Sequence, residues 1–167
     1  KKHFPSINWL TSYSLYAPNF EKFWAEEVAP DYSEYRTKAI ELLGREAKLL
    51  EIVRLVGMES LSNEERLVIE VSRMLREDFL FQDAFSPDDA YTPLDRQYGM
   101  LKSMMVFYEA GLPVVTAEEF DFATFSKIDS YAVVPTLKDK LDWTKDDFAK
   151  FQDTVRAEIT SLTATAA

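Results

Sequence analysis

The sequence predicts an all-α bundle preceded by a short non-helical strip. Three observations carry this expectation. Apolar residues recur at three- and four-residue steps in one segment after another, and no stretch shows the sustained alternation of a strand. Ser, Thr or Asp followed three residues later by an acid opens most of these segments, as at a helix N-cap. Pro5, Pro18 and Pro30 punctuate the first thirty residues and forbid one continuous helix there.

Residues 1–30 are aromatic and irregular, with Phe4, Trp9, Tyr13, Tyr16, Phe20, Phe23 and Trp24 broken by those prolines. They read as a loop or short strand to about Tyr16, then a short helix before Pro30. Asp31 to Val56 is the clearest helix. Asp31 and Glu34 resemble a capping box, Ile40, Leu43, Ala47, Leu50 and Leu55 form the apolar stripe, and Gly57 stops the helix. Roughly 24 residues at about 1.5 Å each make it about 36 Å long. A short Met58–Leu61 connection turns the chain into an antiparallel hairpin with a second helix, Ser62 to Leu80. Ser62 and Glu65 cap this helix, and Leu67, Val71, Met74, Leu75 and Phe79 form its stripe.

Ser86-Pro87-Asp88-Asp89 and Thr92-Pro93-Leu94-Asp95 each read as an N-cap, a proline at the first helical position and acid in the first turn. The second opens a helix of about 18 residues. Its predicted face is Leu94, Tyr98, Leu101, Met105 and Tyr108, and its predicted end is Gly111. Thr116 with Glu119, Thr136 with Asp139 and Thr144 with Asp147 repeat the cap-and-acid pattern. The last helix is predicted from Lys145 to about Leu162, with a fraying tail from Thr163 to Ala167.

Composition bounds the chemistry. The chain has 167 residues, enough for one domain with a real core, and a net charge of −10 that disfavours nucleic acid and anionic membranes. With 47% apolar and 14% aromatic residues it is not a disordered chain. It has no Cys, hence no disulfide, thiolate nucleophile or Cys-based zinc site. Its one histidine, His3, reads as an ordinary loop residue. The four glycines are never closer than twelve positions, so neither a Walker-type phosphate loop nor a dinucleotide fingerprint fits. No apolar run approaches the about 20 residues of a membrane span, and no signal peptide is recognisable. The start at Lys1, without an initiator Met, reads as the middle of a longer chain.

Several constellations have both a functional and a plain reading. The acidic turn Glu59-Ser60-Leu61-Ser62-Asn63-Glu64-Glu65-Arg66 is either a solvated, capped loop or a protruding contact for a partner. Phe79, Phe81 and Phe85 read as core, but Phe85 falls just past the helix before a Pro turn, where a ring can face a ligand. Phe4, restricted by Pro5, either presents its ring or anchors a loop. Asp88, Asp89, Asp95, Asp146 and Asp147 can in principle ligate a cation or do acid–base work, but each lies at a helix start, where the dipole already explains it.

A family resemblance enters at these segments. His3-Phe4-Pro5-Ser6-Ile7-Asn8-Trp9-Leu10-Thr11-Ser12-Tyr13-Ser14-Leu15-Tyr16 is similar to a signature of the catalytic A subunit of archaeal- and vacuolar-type rotary ATPases. Glu51 to Gly57, Asp78-Phe79-Leu80 through Ala84-Phe85, and Gly99-Met100-Leu101 through Phe107-Tyr108 match in the same order. Together they span about residues 3–110, and the last third resembles the family less specifically. The resemblance implies that residues 1–20 are the end of a P-loop nucleotide-binding domain and residues 21–167 a C-terminal helical domain. Phe4 and Phe85 would flank an adenine ring, with Pro5 and Gln82 beside them. Asp83 stands where the family usually has Asn, and Phe81 where it often has Gln. The resemblance therefore carries ring stacking rather than side-chain hydrogen bonds to adenine. Glu59, Ser60, Leu61, Ser62, Asn63, Glu64 and Glu65 would form the hairpin tip that contacts the rotor.

The same resemblance implies ATP or ADP with Mg²⁺ in the intact protein, bound by a phosphate loop, magnesium ligand, catalytic acid and arginine finger that all lie outside this chain. It implies non-catalytic B subunits in an alternating hexamer, a central rotor stalk, and proton or sodium transport coupled to ATP hydrolysis or synthesis. It also implies a place in the cytoplasmic head, peripheral to the membrane, without nucleic acid or direct membrane insertion. The fragment alone would be inactive. The alternatives are a stand-alone helical interaction module and an enzyme using the aspartate clusters.

Overall fold

The computed structural model describes residues 4–117 and 119–164. From residue 4 to 16 the chain runs through turns and irregular backbone, in keeping with the predicted strip. Among the described residues seven α-helices follow: α1 (Ala17–Glu27), α2 (Tyr32–Val56), α3 (Asn63–Met74), α4 (Pro87–Ala90), α5 (Leu94–Val115), α6 (Asp129–Val133) and α7 (Lys145–Ala164). A π-helical turn, Leu75–Leu80, prolongs α3, and 3-10 turns occupy Met58–Ser60, Phe122–Lys127 and Val134–Asp139. The described residues contain no strand, as the all-α expectation requires.

The long central helix α5 organises the core. It packs against α7, α3 and α2. Val68, Val71 and Met74 of α3, Met104 and Phe107 of α5, and Val155 and Ile159 of α7 are completely buried at this junction. Phe125 and Leu137, from the short turns between α5 and α7, close it. The last third of the chain is thus part of the same core as the hairpin.

At Gly99 α5 approaches α7 so closely that a Cβ there would lie 2.6 Å from the Phe148 ring. Gly57, at φ +88°, ends α2 in a conformation other residues resist. The Ser62 capping box forms: the hydroxyl accepts from the Glu65 N–H at 3.3 Å and the Glu65 carboxylate accepts from the Ser62 N–H at 2.9 Å. Thr144 and Asp147 close an equivalent pair ahead of α7.

Several expectations are corrected. The buried face of α2 is Tyr35, Ala39, Leu42, Leu43, Glu46 and Leu49. It is rotated by about one residue, roughly 100°, from the predicted stripe. Ile40 is exposed, and Leu55 is 84% exposed. The true face includes a charged residue, Glu46, which apolar periodicity passes over. It is 4% exposed and accepts a hydrogen bond from Arg76.

Asp31 precedes α2 without capping it, because Lys102 and Tyr98 of α5 take its carboxylate. Helix α5 runs through Gly111 to Val115, with Gly111 pressed under the Phe125 ring and Leu67. On its predicted face Leu101 and Met105 are buried, but Leu94 is exposed. Thr116 ends that helix rather than starting another, its hydroxyl donating back to the Leu112 carbonyl at 2.9 Å. Thr136 likewise bonds back to the Val133 carbonyl at 2.8 Å. Thr163 lies within α7; residues 165–167 of the expected tail lie outside the described residues.

Candidate functional site

The segment after the π-helical turn is a loop with little core contact of its own, held by polar bonds. Phe81 leaves the helix with extended backbone. Asp83 then folds the loop on itself: its Oδ1 accepts from the Phe85 N–H at 2.9 Å and its carbonyl accepts from the Ser86 N–H at 3.1 Å. Its own N–H donates to Asp89 Oδ2 at 2.6 Å. Asn at position 83 would offer the same side-chain acceptor, so the departure from the family pattern leaves the turn intact. The turn presents Phe85, which is 95% exposed. The reading of Phe85 as core is therefore excluded. Its neighbours Phe79 and Leu80 pack on the core from the side.

The N-terminal strip docks on this loop. The Gln82 N–H donates to the Phe4 carbonyl at 2.8 Å, and Phe4 precedes a cis peptide to Pro5. Phe4 is 48% exposed. Pro5 and Gln82 line a cleft of about 180 Å³ with Phe79, Leu80, Asp89 and Lys138 among its other walls. The Gln82 side chain is engaged within the loop, donating to the Asp89 carbonyl at 3.3 Å. The structure thus brings together Phe4, Pro5 and Gln82, with Phe85 three residues further along the same loop. Phe4 and Phe85 lie outside the lining of that cleft, each with much of its side chain open to solvent.

At the opposite end of α2 lies the hairpin turn. Glu59, Ser60 and Ser62 are exposed. Leu61 is buried as the plug of the turn, and Asn63 donates to the Phe120 carbonyl at 2.9 Å. Glu64 pairs with Arg45 at 2.9 Å. Hydrogen bonds from the Ser62 N–H and hydroxyl hold the Glu65 carboxyl below its ordinary pKa. Of the seven predicted contact residues, Glu59, Ser60 and Ser62 are thus exposed, although the Ser60 and Ser62 hydroxyls are themselves bonded within the turn.

The apolar residues of the α2 end are more conspicuous. Glu64, in the first turn of α3, pairs with Arg45, and the eleven residues of α2 after Arg45, up to Val56, extend beyond that pairing. At about 1.5 Å per residue this extension is roughly 16 Å. Ile52, Leu55, Val56 (63% exposed) and Met58 lie there in the open.

Three of the five aspartates are employed locally. Asp89 faces Lys138, Asp147 caps α7, and the Asp95 carboxylate accepts from the Arg96 N–H at 2.9 Å. Among the described residues no group of three or more His, Asp or Glu stands close enough to hold a metal ion. His3 lies outside the described residues. No described helix is long and apolar enough to cross a membrane.

Sequence reasoning missed two features. Lys138 reaches from the last 3-10 turn to the Phe81 carbonyl and to Asp89, across 57 and 49 positions. No local pattern signals that. The exposure of Leu55 is the other, because its spacing fits the predicted buried stripe.

A helical domain, presenting an aromatic loop at one point and a hairpin turn at another, is the class this architecture defines. Residues 21–121 match the family of the C-terminal domain of V and A type ATP synthase, and the chain belongs to that family. It is 53% identical over 109 residues to the A subunit of the A-type ATP synthase of Methanopyrus kandleri, covering 65% of this chain and 18% of that protein. It is 53% identical over 108 residues to the V-type ATP synthase alpha chain of Thermoanaerobacter pseudethanolicus, covering 65% and 18%. With the A subunit of the A-type ATP synthase of Methanococcus maripaludis it shares 50% over 115 residues, covering 69% and 20%. The matched region spans about a fifth of the length of these relatives.

Proposed function

We propose that this chain is the helical end of an ATP synthase catalytic subunit, and that it supplies an adenine wall and a lever. Phe4 and Phe85 stack on the base from the strip and the loop, with Pro5 and Gln82 holding the two together. The observation that carries this reading is the Phe85 ring. It is almost wholly exposed, yet it sits on a turn fixed by hydrogen bonds at both the Asp83 side chain and backbone. Leaving a large ring in water forgoes its burial, about 2 kcal/mol, and a fixed turn that does so suits a ring covered by a ligand. Stacking on a base is worth about 1–3 kcal/mol per aromatic ring.

In this reading residues 1–20 belong to the nucleotide-binding domain and residues 21–167 to the helical domain. The phosphates and Mg²⁺ are held elsewhere in the intact protein, at an interface with a B subunit in an alternating hexamer. The chain alone is inactive. The hairpin tip, Glu59 to Glu65, together with the apolar end of α2, presses on a central rotor. Nucleotide-driven closure then turns the rotor and couples ATP chemistry to proton or sodium transport, from a head that is cytoplasmic and peripheral to the membrane.

The test is nucleotide affinity of the full-length protein carrying Phe85→Ala. Loss of one stacking face should weaken ATP and ADP binding by about tenfold. Unchanged affinity would remove the adenine wall from the proposal.

A further inference from the structure

We infer that Lys138 is a positioning residue for the aromatic loop, so that the C-terminal third of the chain sets where the Phe85 ring stands. The inference rests on the adenine-wall reading above and extends it to a residue beyond the 21–121 family match. Lys138 is held at two ends. Its carbonyl accepts a hydrogen bond from the guanidinium of Arg96, a buried residue of α5. Its ammonium donates to the Phe81 carbonyl, lies 3.4 Å from Asp89 Oδ2, and stands 5.9 Å from the centre of the Phe81 ring.

The chain of contacts continues from there without a gap. Asp89 Oδ2, the oxygen facing Lys138, accepts the Asp83 N–H at 2.6 Å. Asp83 Oδ1 accepts the Phe85 N–H at 2.9 Å. The Asp89 carbonyl accepts from Gln82, whose own N–H binds Phe4 at 2.8 Å. One ammonium therefore reaches both members of the aromatic pair through at most a few hydrogen bonds.

The geometry suits positioning rather than ligand contact. The side chains of Lys138 and Asp89 are both mostly buried, in a low-dielectric setting where a charge-assisted bond is strong and directional. An aromatic loop without a hydrophobic anchor of its own would otherwise sample several positions. Affinity for a ligand falls in proportion to the fraction of time the loop stands correctly.

The experiment uses the full-length protein in its assembled complex, with ATP as the probe. Lys138→Met keeps the carbon stem over the Phe81 ring and removes only the ammonium. The expected result is a rise in KM for ATP of about fivefold from the lost preorganisation, with kcat within twofold of the parent. Lys138→Arg should restore most of the affinity. The double variant Lys138→Met/Phe85→Ala should be weaker than Phe85→Ala alone by less than the full Lys138→Met effect, because with the Phe85 ring gone only the route to Phe4 is left to disturb. An unchanged KM in Lys138→Met while Phe85→Ala raises it overturns the role of Lys138 and leaves the adenine wall standing. Additive effects of the two substitutions overturn it as well. An unchanged KM in Phe85→Ala removes the adenine wall and, with it, the reason for the clamp. Should Lys138→Met fail to assemble, Asp89→Asn breaks the same ion pair from the other side. There the same KM rise supports the clamp and an unchanged KM overturns it.

Discussion

The Lys102 ammonium on α5 lies 2.8 Å from the carboxylate of Asp31, the residue just before α2, and Tyr98 donates its hydroxyl to the other oxygen of the same group. Partial burial alone would push the Asp31 pKa up, but these two donors and the lysine charge pull it below its ordinary value. The pair joins the start of the long hairpin helix to the central helix, which the local capping pattern at Asp31 and Glu34 did not anticipate.

Asp31→Asn should therefore lower the stability of the chain at neutral pH by about 1 kcal/mol, the net worth of a charge-assisted hydrogen bond at a partly exposed site. The sign of the pH dependence follows from the depressed folded-state pKa. The contribution is present above the unfolded-state value of about 4 and is lost as pH falls through the lower folded-state value. Urea unfolding of both forms across pH 2.5 to 7 checks it. The gap between them should close at the acid end, and a constant gap would contradict the assignment.

Glu46 and Arg76 make a different case, because the carboxylate is buried in the hairpin. Arg76→Met strands that charge and should cost about 3 kcal/mol. Glu46→Leu combined with Arg76→Met removes both charges and should recover most of the loss. Denaturant midpoints of the single and double variants decide it: if the double variant is as weak as the single one, the cost does not come from an unpaired charge.

How much of this was legible in the sequence depends on the range of each interaction. The stripe of Leu67, Val71 and Met74 on α3, continued by Leu75 of the π-helical turn, was readable because a 3.6-residue period is a local property and that segment is packed along one face. The α2 face was misread by one position because Glu46, a core-facing residue, is charged, and its partner lies 30 residues away. Phe85 was readable as a candidate from its place before Pro87. Composition alone pointed to core, because three Phe in seven residues say nothing of which way a loop turns. Lys138 carried no signal, since a lysine in an unassigned stretch acquires meaning only when the fold sets it beside Phe81 and Asp89.

Glycine positions separate by what surrounds them. A Cβ at Gly99 would sit 2.6 Å from the Phe148 ring, whereas one at Gly44, in the middle of α2, would meet nothing within 4 Å. Gly99→Ala should destabilise by about 2 kcal/mol through overpacking between α5 and α7. Gly44→Ala should stabilise by about 0.5–1 kcal/mol through helix propensity. Thermal unfolding of the two variants should move in opposite directions. Phe148→Leu should relieve part of the Gly99→Ala cost if the ring is the obstacle.

Leu55 and Val56 test the proposed lever without touching the core. Both stand in the open at the end of α2. Leu55→Asp with Val56→Asp should therefore change the folding stability of the chain by less than about 1 kcal/mol. In the assembled complex the same change should uncouple ATP hydrolysis from ion transport by weakening an apolar contact. Transport per ATP hydrolysed, measured in reconstituted vesicles, checks this. Unaltered coupling would move the contact to the polar residues Glu59 and Ser60.

The capping pattern gives a final discrimination, since the same Ser/Thr-to-acid spacing occurs at sites with different outcomes. Ser62 accepts from the N–H of Glu65 at 3.3 Å, and Thr144 from that of Asp147 at 3.3 Å. The Thr116 and Thr136 hydroxyls instead donate backwards to the Leu112 and Val133 carbonyls. A backward bond satisfies a carbonyl that water can also reach, whereas a cap satisfies a helix N–H with no intrahelical partner. Ser62→Ala and Thr144→Ala should each cost about 1 kcal/mol, while Thr116→Ala and Thr136→Ala should stay within about 0.5 kcal/mol of the parent. Asp147 has its pKa lowered by the Thr144 N–H and hydroxyl. In Thr144→Ala it should therefore titrate closer to the ordinary aspartate value, a shift that NMR of the Asp147 carboxyl can read independently of stability.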